Sequence, residues 1–180
     1  MRLASISLLT VVAVGLLTAG CGSSGTKTTS TTDWVNGVCS SIVTWKGSIK
    51  SSTDSLKSGN ISQDSLKTTA GDMKSATETL QSDLKDLGKP DTDTGKKAKD
   101  SIDQLSSQLK KDTDSIKSAA DDVSNLSSAA TAVTTITTTL TTMGSQVSST
   151  FSSLKQLDPK GELQSAFQQS SSCKKLSSSS

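Results

Sequence analysis

The chain has no histidine and no tyrosine among its 180 residues, and only two tryptophans, two phenylalanines and two prolines. Each scarcity excludes something. Without imidazole there is no ordinary general base at neutral pH, no serine or cysteine activated by histidine, and none of the usual zinc or haem ligand sets. No glycine-rich phosphate loop follows a strand, because the residue pattern predicts no strand. Carboxylates such as Asp121 and Asp122 are neighbours on a helix and point away from each other rather than at one substrate. The sequence therefore predicts a protein that is not an enzyme and that uses no cofactor and no metal. The only arginine is Arg2, and without residues 1–20 the basic residues fall from 19 to 18 against 17 Asp and Glu. That balance argues against a nucleic-acid partner.

The four aromatics are Trp34, Trp45, Phe151 and Phe167, while Ser and Thr make up about a third of the chain, so any core must be thin and mostly aliphatic. A chain this short of Leu, Ile, Val and Phe would be expected to stay disordered if it were also highly charged; its near-neutral balance keeps folding open.

What is present begins with an export signal. Met1 and Arg2 give a short charged start, Leu3 to Leu17 is an apolar run, and Ala19 and Gly20 are small residues before Cys21. The segment Leu16-Leu17-Thr18-Ala19-Gly20-Cys21 resembles the lipobox of bacterial lipoproteins, with Thr18 standing where the pattern prefers leucine. The resemblance implies cleavage before Cys21 and lipid attachment on its thiol. The alternative is an uncut membrane anchor, because 18 residues nearly span a bilayer; the cysteine's place, where the apolar run ends and a polar segment begins, favours the lipoprotein. Gly22 to Thr32, GSSGTKTTSTT, has no large apolar side chain and reads as a flexible tether reaching about 17 to 20 Å. Residues 1–20 are thus expected to be a signal peptide, 21–32 a lipidated tether, 33–176 a helical domain and 177–180 a disordered tail.

From Asp33 the apolar residues follow spacings of three and four. Val35, Val38, Ile42, Trp45, Ile49 and Leu56 make one stripe on a first helix ending near Lys57. Ser58-Gly59-Asn60, with Gln63 three residues on, predicts a glycine stop and a capping box for the next helix. That helix carries Leu66, Ala70, Met73, Leu80, Leu84 and Leu87 and stops at Gly88-Lys89-Pro90. From about Thr94 the stripe runs through Ala98, Ile102, Leu105, Leu109, Ile116, Ala119, Val123 and Leu126, then Ala130, Val133, Leu140, Val147, Phe151 and Leu154. This stretch is either one helix of some sixty residues or two of about thirty joined near Ser124 to Ser128. Equal halves match the first two helices, so the expected fold is all-α, an up-down four-helix bundle with a short C-terminal helix from about Glu162. Thr131 to Thr142, rich in β-branched residues, is the segment least suited to a helix. Asp112 and Thr137 fall on the stripe, where each could line a site or simply reach water and a backbone carbonyl. Pairs such as Asp114 with Lys117 and Lys74 with Glu78 read as a solvated helix face.

With Cys21 taken by lipid, Cys39 and Cys173 remain, in a compartment where disulfides persist. In an up-down bundle the end of the fourth helix lies beside the start of the first, and Asp158-Pro159-Lys160-Gly161 turns the chain so that Cys173 approaches Cys39. The four aromatics are expected at this same end.

Trp34-Val35-Asn36-Gly37-Val38-Cys39, with Trp45, Leu163, Ala166-Phe167 and Cys173, resembles small helical lipoproteins of actinobacteria. The likeness implies export, helices and the disulfide, and supplies no site residues. The expected function is that of a membrane-anchored extracytoplasmic lipoprotein, acting as a non-enzymatic envelope scaffold or protein-binding module. Its expected partners are the membrane, through the lipid on Cys21, and a further envelope protein. The alternative is a carrier of a lipid or other apolar ligand between helices. Cys21→Ser is expected to block lipid attachment and leave an uncut or mislocalised precursor. Fractionation and gel mobility check this, and a variant of unchanged size and equal membrane retention would replace the lipid by an uncut helix.

Overall fold

Where apolar residues recur at spacings of three and four, helices form, and the connections fall where capping residues collect. The computed structural model describes residues 27–58, 61–158 and 161–178. Its helices are α1 (Thr31–Ser58), α2 (Gln63–Asp86), α3 (Gly95–Asp121), α4 (Leu126–Leu157), α5 (Glu162–Gln169) and α6 (Ser171–Ser178). Two short segments, β1 (Thr28–Thr29) and β2 (Lys89–Pro90), pair in parallel, Thr28 with Lys89 and Thr29 with Pro90. The protein is thus mostly helical, as expected, with one small strand pair that the sequence pattern did not predict.

Helix α1 packs on α2, α2 on α3 and α3 on α4, while α5 and α6 return to α1. One contiguous apolar core results, in which Val35, Val38, Ile42, Leu66, Met73, Leu80, Ile102, Leu105, Leu109, Ile116 and Leu154 are buried. The stretch from Gly95 onward is two helices. Asn125 accepts from the Ser128 amide (2.9 Å) and the Ser128 hydroxyl accepts from the Asn125 amide (3.0 Å), so a reciprocal cap starts α4 where a single long helix would have continued. Leu126, expected on the stripe, opens α4 and is 83% exposed. The Thr-rich segment is helical, and Thr131, Thr134, Thr137, Thr141 and Thr142 each donate to the carbonyl four residues back.

Other expectations shift by a residue or two. The capping box of α2 is built by Ser62 and Ser65. Gln63, expected to serve in it, donates its side-chain amide to the Val123 carbonyl. Gly59 and Asn60, like residues 1–26, 159–160 and 179–180, lie outside the described residues. In α4 the buried positions are Ala129, Ala132, Ile136, Met143, Val147 and Leu154, so its first half is rotated by one residue from the expected Ala130 and Val133. The C-terminal helix is broken into two because Ser170 is extended; its hydroxyl accepts from the Cys173 amide (3.3 Å) and caps α6. Helix α6 reaches Ser178, two residues into the expected tail.

The end of the expected tether is tied down. Lys27 Nζ donates to the Asp86 carbonyl (3.1 Å), Thr29 Oγ1 to the Leu87 carbonyl (2.6 Å) and Trp34 Nε1 to the Gly88 carbonyl (3.0 Å). Three successive carbonyls at the end of α2, which a helix leaves without intrahelical partners, are thereby satisfied. The Lys89 amide adds a bond to the Lys27 carbonyl (2.9 Å). Gly88 makes this approach possible: its φ is 66°, and a Cβ there would stand 2.0 Å from the Lys27 oxygen.

Trp45 lies three turns along α1 from Trp34, and its Nε1 donates to Thr77 Oγ1 (3.1 Å). Thr77 in turn meets Thr113 Oγ1 at 3.0 Å, and Thr113 Oγ1 lies 2.8 Å from the Leu109 carbonyl. All three side chains are buried. Trp45 thus donates to Thr77, and the Thr77 and Thr113 hydroxyls lie within hydrogen-bond distance of each other and of the Met73 and Leu109 carbonyls, a buried polar run that joins α1, α2 and α3 through the core.

The outer faces carry ion pairs one helical turn apart, including Lys96 with Asp100 (2.7 Å) and Lys110 with Asp114 (2.6 Å). Lys74 pairs with Glu78 as expected, whereas Lys117 pairs with Asp121 and leaves Asp114 to Lys110. The Lys117 ammonium holds the Asp121 carboxyl below the usual carboxylate range, and the Asp100 and Asp114 carboxylates push Lys96 and Lys110 up. In each pair lysine precedes the acid, the weaker order against the helix dipole, so these pairs favour solubility more than stability.

Thr77→Val is expected to cost about 1–3 kcal/mol, because it leaves the buried Trp45 N–H without an acceptor, whereas Thr113→Val costs under about 1.5 kcal/mol, because Thr77 can still donate to the Met73 carbonyl. Denaturant melts of the two variants check the order, and equal losses would contradict Thr77 as the acceptor on which the Trp45 N–H depends.

Candidate functional site

Of the residues singled out by sequence, Cys21 lies outside the described residues. Cys39 and Cys173 come together. Cys39 is in the third turn of α1 and fully buried, Cys173 is in the first turn of α6, and their Cα atoms are 5.0 Å apart, within disulfide distance. Local sequence accounts for the meeting: Asp158 accepts from the Leu163 amide (3.2 Å) at the turn into α5, Leu163, Ala166 and Phe167 bury one face of α5, and Ser170 turns the chain into α6. Thr31 Oγ1 reaches Glu162 Oε2 (3.4 Å) from the start of α1.

Asp112 and Thr137 are not brought together. Asp112 is half-buried and accepts from Gln146 Nε2 (2.8 Å) beside a polar groove between α3 and α4, while Thr137 is exposed and donates to the Val133 carbonyl (2.9 Å). The most deeply buried polar residues are instead Thr77 and Thr113.

What the sequence did not disclose is a cleft. Among the described residues α1 and α4 do not approach as a close-packed pair, and α6 stands against α1. Between α1, α4 and α6 a cleft of about 200 Å³ opens. Trp45, Val147, Phe151 and Leu176 give it an apolar lining, and Lys46 and Lys155 bring two ammonium groups to it. Phe151 is fixed from behind by an edge-to-face contact with Phe167, ring centres 5.7 Å apart at 76°. Gly144 also lines the cleft, and a Cβ added there would meet nothing within 4 Å. Cys173 forms part of the same wall, so the cysteine pair holds one side of the cleft in place. No grouping of three or more Cys, Asp or Glu that could hold a metal ion is found among the described residues, and no described helix is long and apolar enough to cross a membrane. The cleft can take an apolar group and set negative charge beside it.

Joining Cys39 to Cys173 closes a loop of sequence separation 134, for which chain entropy gives about 5 kcal/mol. That is as large as the whole stability of many small domains, about 5–15 kcal/mol. The Cys39→Ser, Cys173→Ser double variant is expected to melt well below the parent by circular dichroism. Free thiols at both positions in protein from the native host, or an unchanged melting temperature, would remove the staple.

Compared with family models, curated proteins and solved structures, the chain matches none.

Proposed function

We propose that this chain is a lipid-anchored extracytoplasmic protein of the cell envelope whose helices form an up-down four-helix bundle with a C-terminal appendage, and that it acts as a non-enzymatic protein-binding module. The short connections at 59–62 and 122–125 support the bundle, since they require antiparallel neighbours. The lipobox-like segment ending at Cys21 supports the anchor and the extracytoplasmic face.

The observation that carries the binding role is the size and lining of the cleft. About 200 Å³ is less than the roughly 300–1,000 Å³ of sites that enclose a small molecule. A cleft of that size, open on one side and backed by aromatic and aliphatic groups, suits a side chain projecting from another protein. The carrier reading keeps one observation in its favour, the pairing of an apolar lining with Lys46 and Lys155, which is also the chemistry of a fatty acid site.

Mass spectrometry of the full protein extracted from its native membrane, intact and after cross-linking, separates the two. The expected result is diacylglyceryl on Cys21, no retained ligand, and cross-links to a defined envelope protein. A stoichiometric lipid retained in native spectra would establish the carrier instead.

A further inference from the structure

Cys21, the proposed site of the lipid, is six residues before Lys27 and ten before Thr31, where α1 begins. Whatever their conformation, six residues span at most about 20–22 Å and ten at most about 33–36 Å. The domain is longer than the first reach: α2 has 24 residues and α3 has 27, which makes them about 36 and 40 Å long. The shorter reach applies because residues 27–29 are clasped to the end of α2. Lys27 Nζ and Thr29 Oγ1 donate to the Asp86 and Leu87 carbonyls, and the Lys89 and Asp91 amides donate to the Lys27 and Thr29 carbonyls (2.9 and 3.0 Å). The chain from Cys21 therefore joins the folded body at Lys27 rather than at Thr31.

Hydrogen bonds also define the two ends of the body. At the clasped end the start of α1 meets the end of α2, with Trp34 Nε1 donating to the Gly88 carbonyl (3.0 Å). At the far end the start of α2 meets the end of α3, with Gln63 donating its side-chain amide to the Val123 carbonyl. Among the described residues the exposed large apolar side chains are Ile61 and Leu126, just before α2 and at the first position of α4, so both belong to the far end. The outer faces of α2 and α3 carry ion pairs instead, such as Lys74 with Glu78 and Lys110 with Asp114. A bilayer takes up exposed apolar side chains and leaves ion-paired ones in water. The far end is thus the part that a nearby membrane would draw in.

We propose that the clasp of residues 27–29 on the end of α2 orients the domain on its membrane, holding the clasped end toward the lipid surface and the end with Ile61 and Leu126 away from it. This rests on the lipid anchor proposed above and adds which end of the domain meets the membrane. With the clasp closed, an inverted domain would place Lys27 about 36 Å from a surface it must stay within about 22 Å of. With the clasp open, ten residues reach about as far as α2 is long, and inversion becomes possible. The small strand pair therefore excludes one orientation, and Ile61 and Leu126 stay clear of the protein's own membrane.

The test uses the full lipidated protein in vesicles of phosphatidylethanolamine and phosphatidylglycerol that carry an energy acceptor on a lipid headgroup. A donor fluorophore is attached through a non-cysteine handle at Asp93 or Ser127, exposed residues just beyond the two ends of α3. Transfer from position 93 is expected to exceed that from position 127 at least about threefold, because the length of α3, about 40 Å, separates them. Inserting about eight Gly and Ser residues between Gly25 and Thr26 raises the reach to about 46–50 Å without touching the fold, and the ratio is expected to fall toward one. Gly88→Val, whose added Cβ collides with the Lys27 carbonyl oxygen, is expected to do the same, and the insertion carries the test if that variant does not fold by circular dichroism. Equal transfer from the two positions in the lipidated parent, or a ratio left unchanged by the insertion or by folded Gly88→Val, overturns the proposal. The mass of the Cys21 peptide from the same vesicles tells its failure from that of the wider reading. Equal transfer with lipid present sinks the orientation alone, whereas an unmodified Cys21 and protein that washes off the vesicles sink the anchor and the orientation together.

Discussion

The structure depends on the return of the C-terminal segment to α1, where Cys173 meets Cys39. Helix α1 receives α2 on one side and α5 and α6 on another, so both ends of the domain are fastened to it. A chain with four aromatics cannot rely on large side chains for this fastening. It uses a short connection at each turn, a single apolar stripe on each long helix, and one crosslink-distance contact spanning nearly the whole domain. The same return explains the opening beside α4. Helix α6 stands against α1, and the space between these two helices and α4 is the cleft.

Serine and threonine, a handicap to helix propensity, become useful at helix ends. Ser30, Ser62, Asn125 and Ser170 each accept a backbone amide at the start of a helix, and in two cases a serine three residues on returns the bond. Inside the helices the threonine hydroxyls fold back onto the preceding turn, which removes their demand for water and lets Thr77 and Thr113 enter the core. Their buried hydroxyls then give Trp45 its acceptor. A composition that looks too polar for a packed domain is accommodated because many of its short hydroxyl side chains, Thr77 and Thr113 in the core among them, find a partner within one turn.

The helices were legible because their apolar spacing is regular over three to four turns, and the stop at Gly88 because only glycine tolerates both its dihedral angle and the approach of Lys27. The rotation of α4 was not. Between Ala129 and Leu140 two parallel stripes are nearly equivalent, Ala129, Ala132 and Ile136 against Ala130, Val133 and Leu140, and the threonines between them do not distinguish inside from outside. The strand pair was hidden for a different reason: two residues at 28–29 meet two at 89–90, a contact set by where α1 and α2 end rather than by any strand pattern. Cys39 and Cys173 could be paired by counting thiols and following the turns. The cleft could not be read, because helical periodicity identifies which face is apolar and not which neighbour covers it. Lys46 and Lys155 looked like ordinary surface lysines until α1 and α4 were placed.

The cysteine pair and the cleft are linked through α6, and that link ties the proposed location to the proposed role. A thiol pair at this distance stays joined outside the cytoplasm and is kept reduced inside it. With the pair joined, α6 is a fixed wall carrying Cys173 and Leu176 into the cleft. With it open, eight residues of helix rest on a few apolar contacts, far too short to be stable alone, and the cleft loses one of its three sides. At the extracytoplasmic location proposed above the pair stays joined and the cleft keeps all three sides. The state of the cysteine pair, a property set by the compartment, therefore decides whether the cleft is complete.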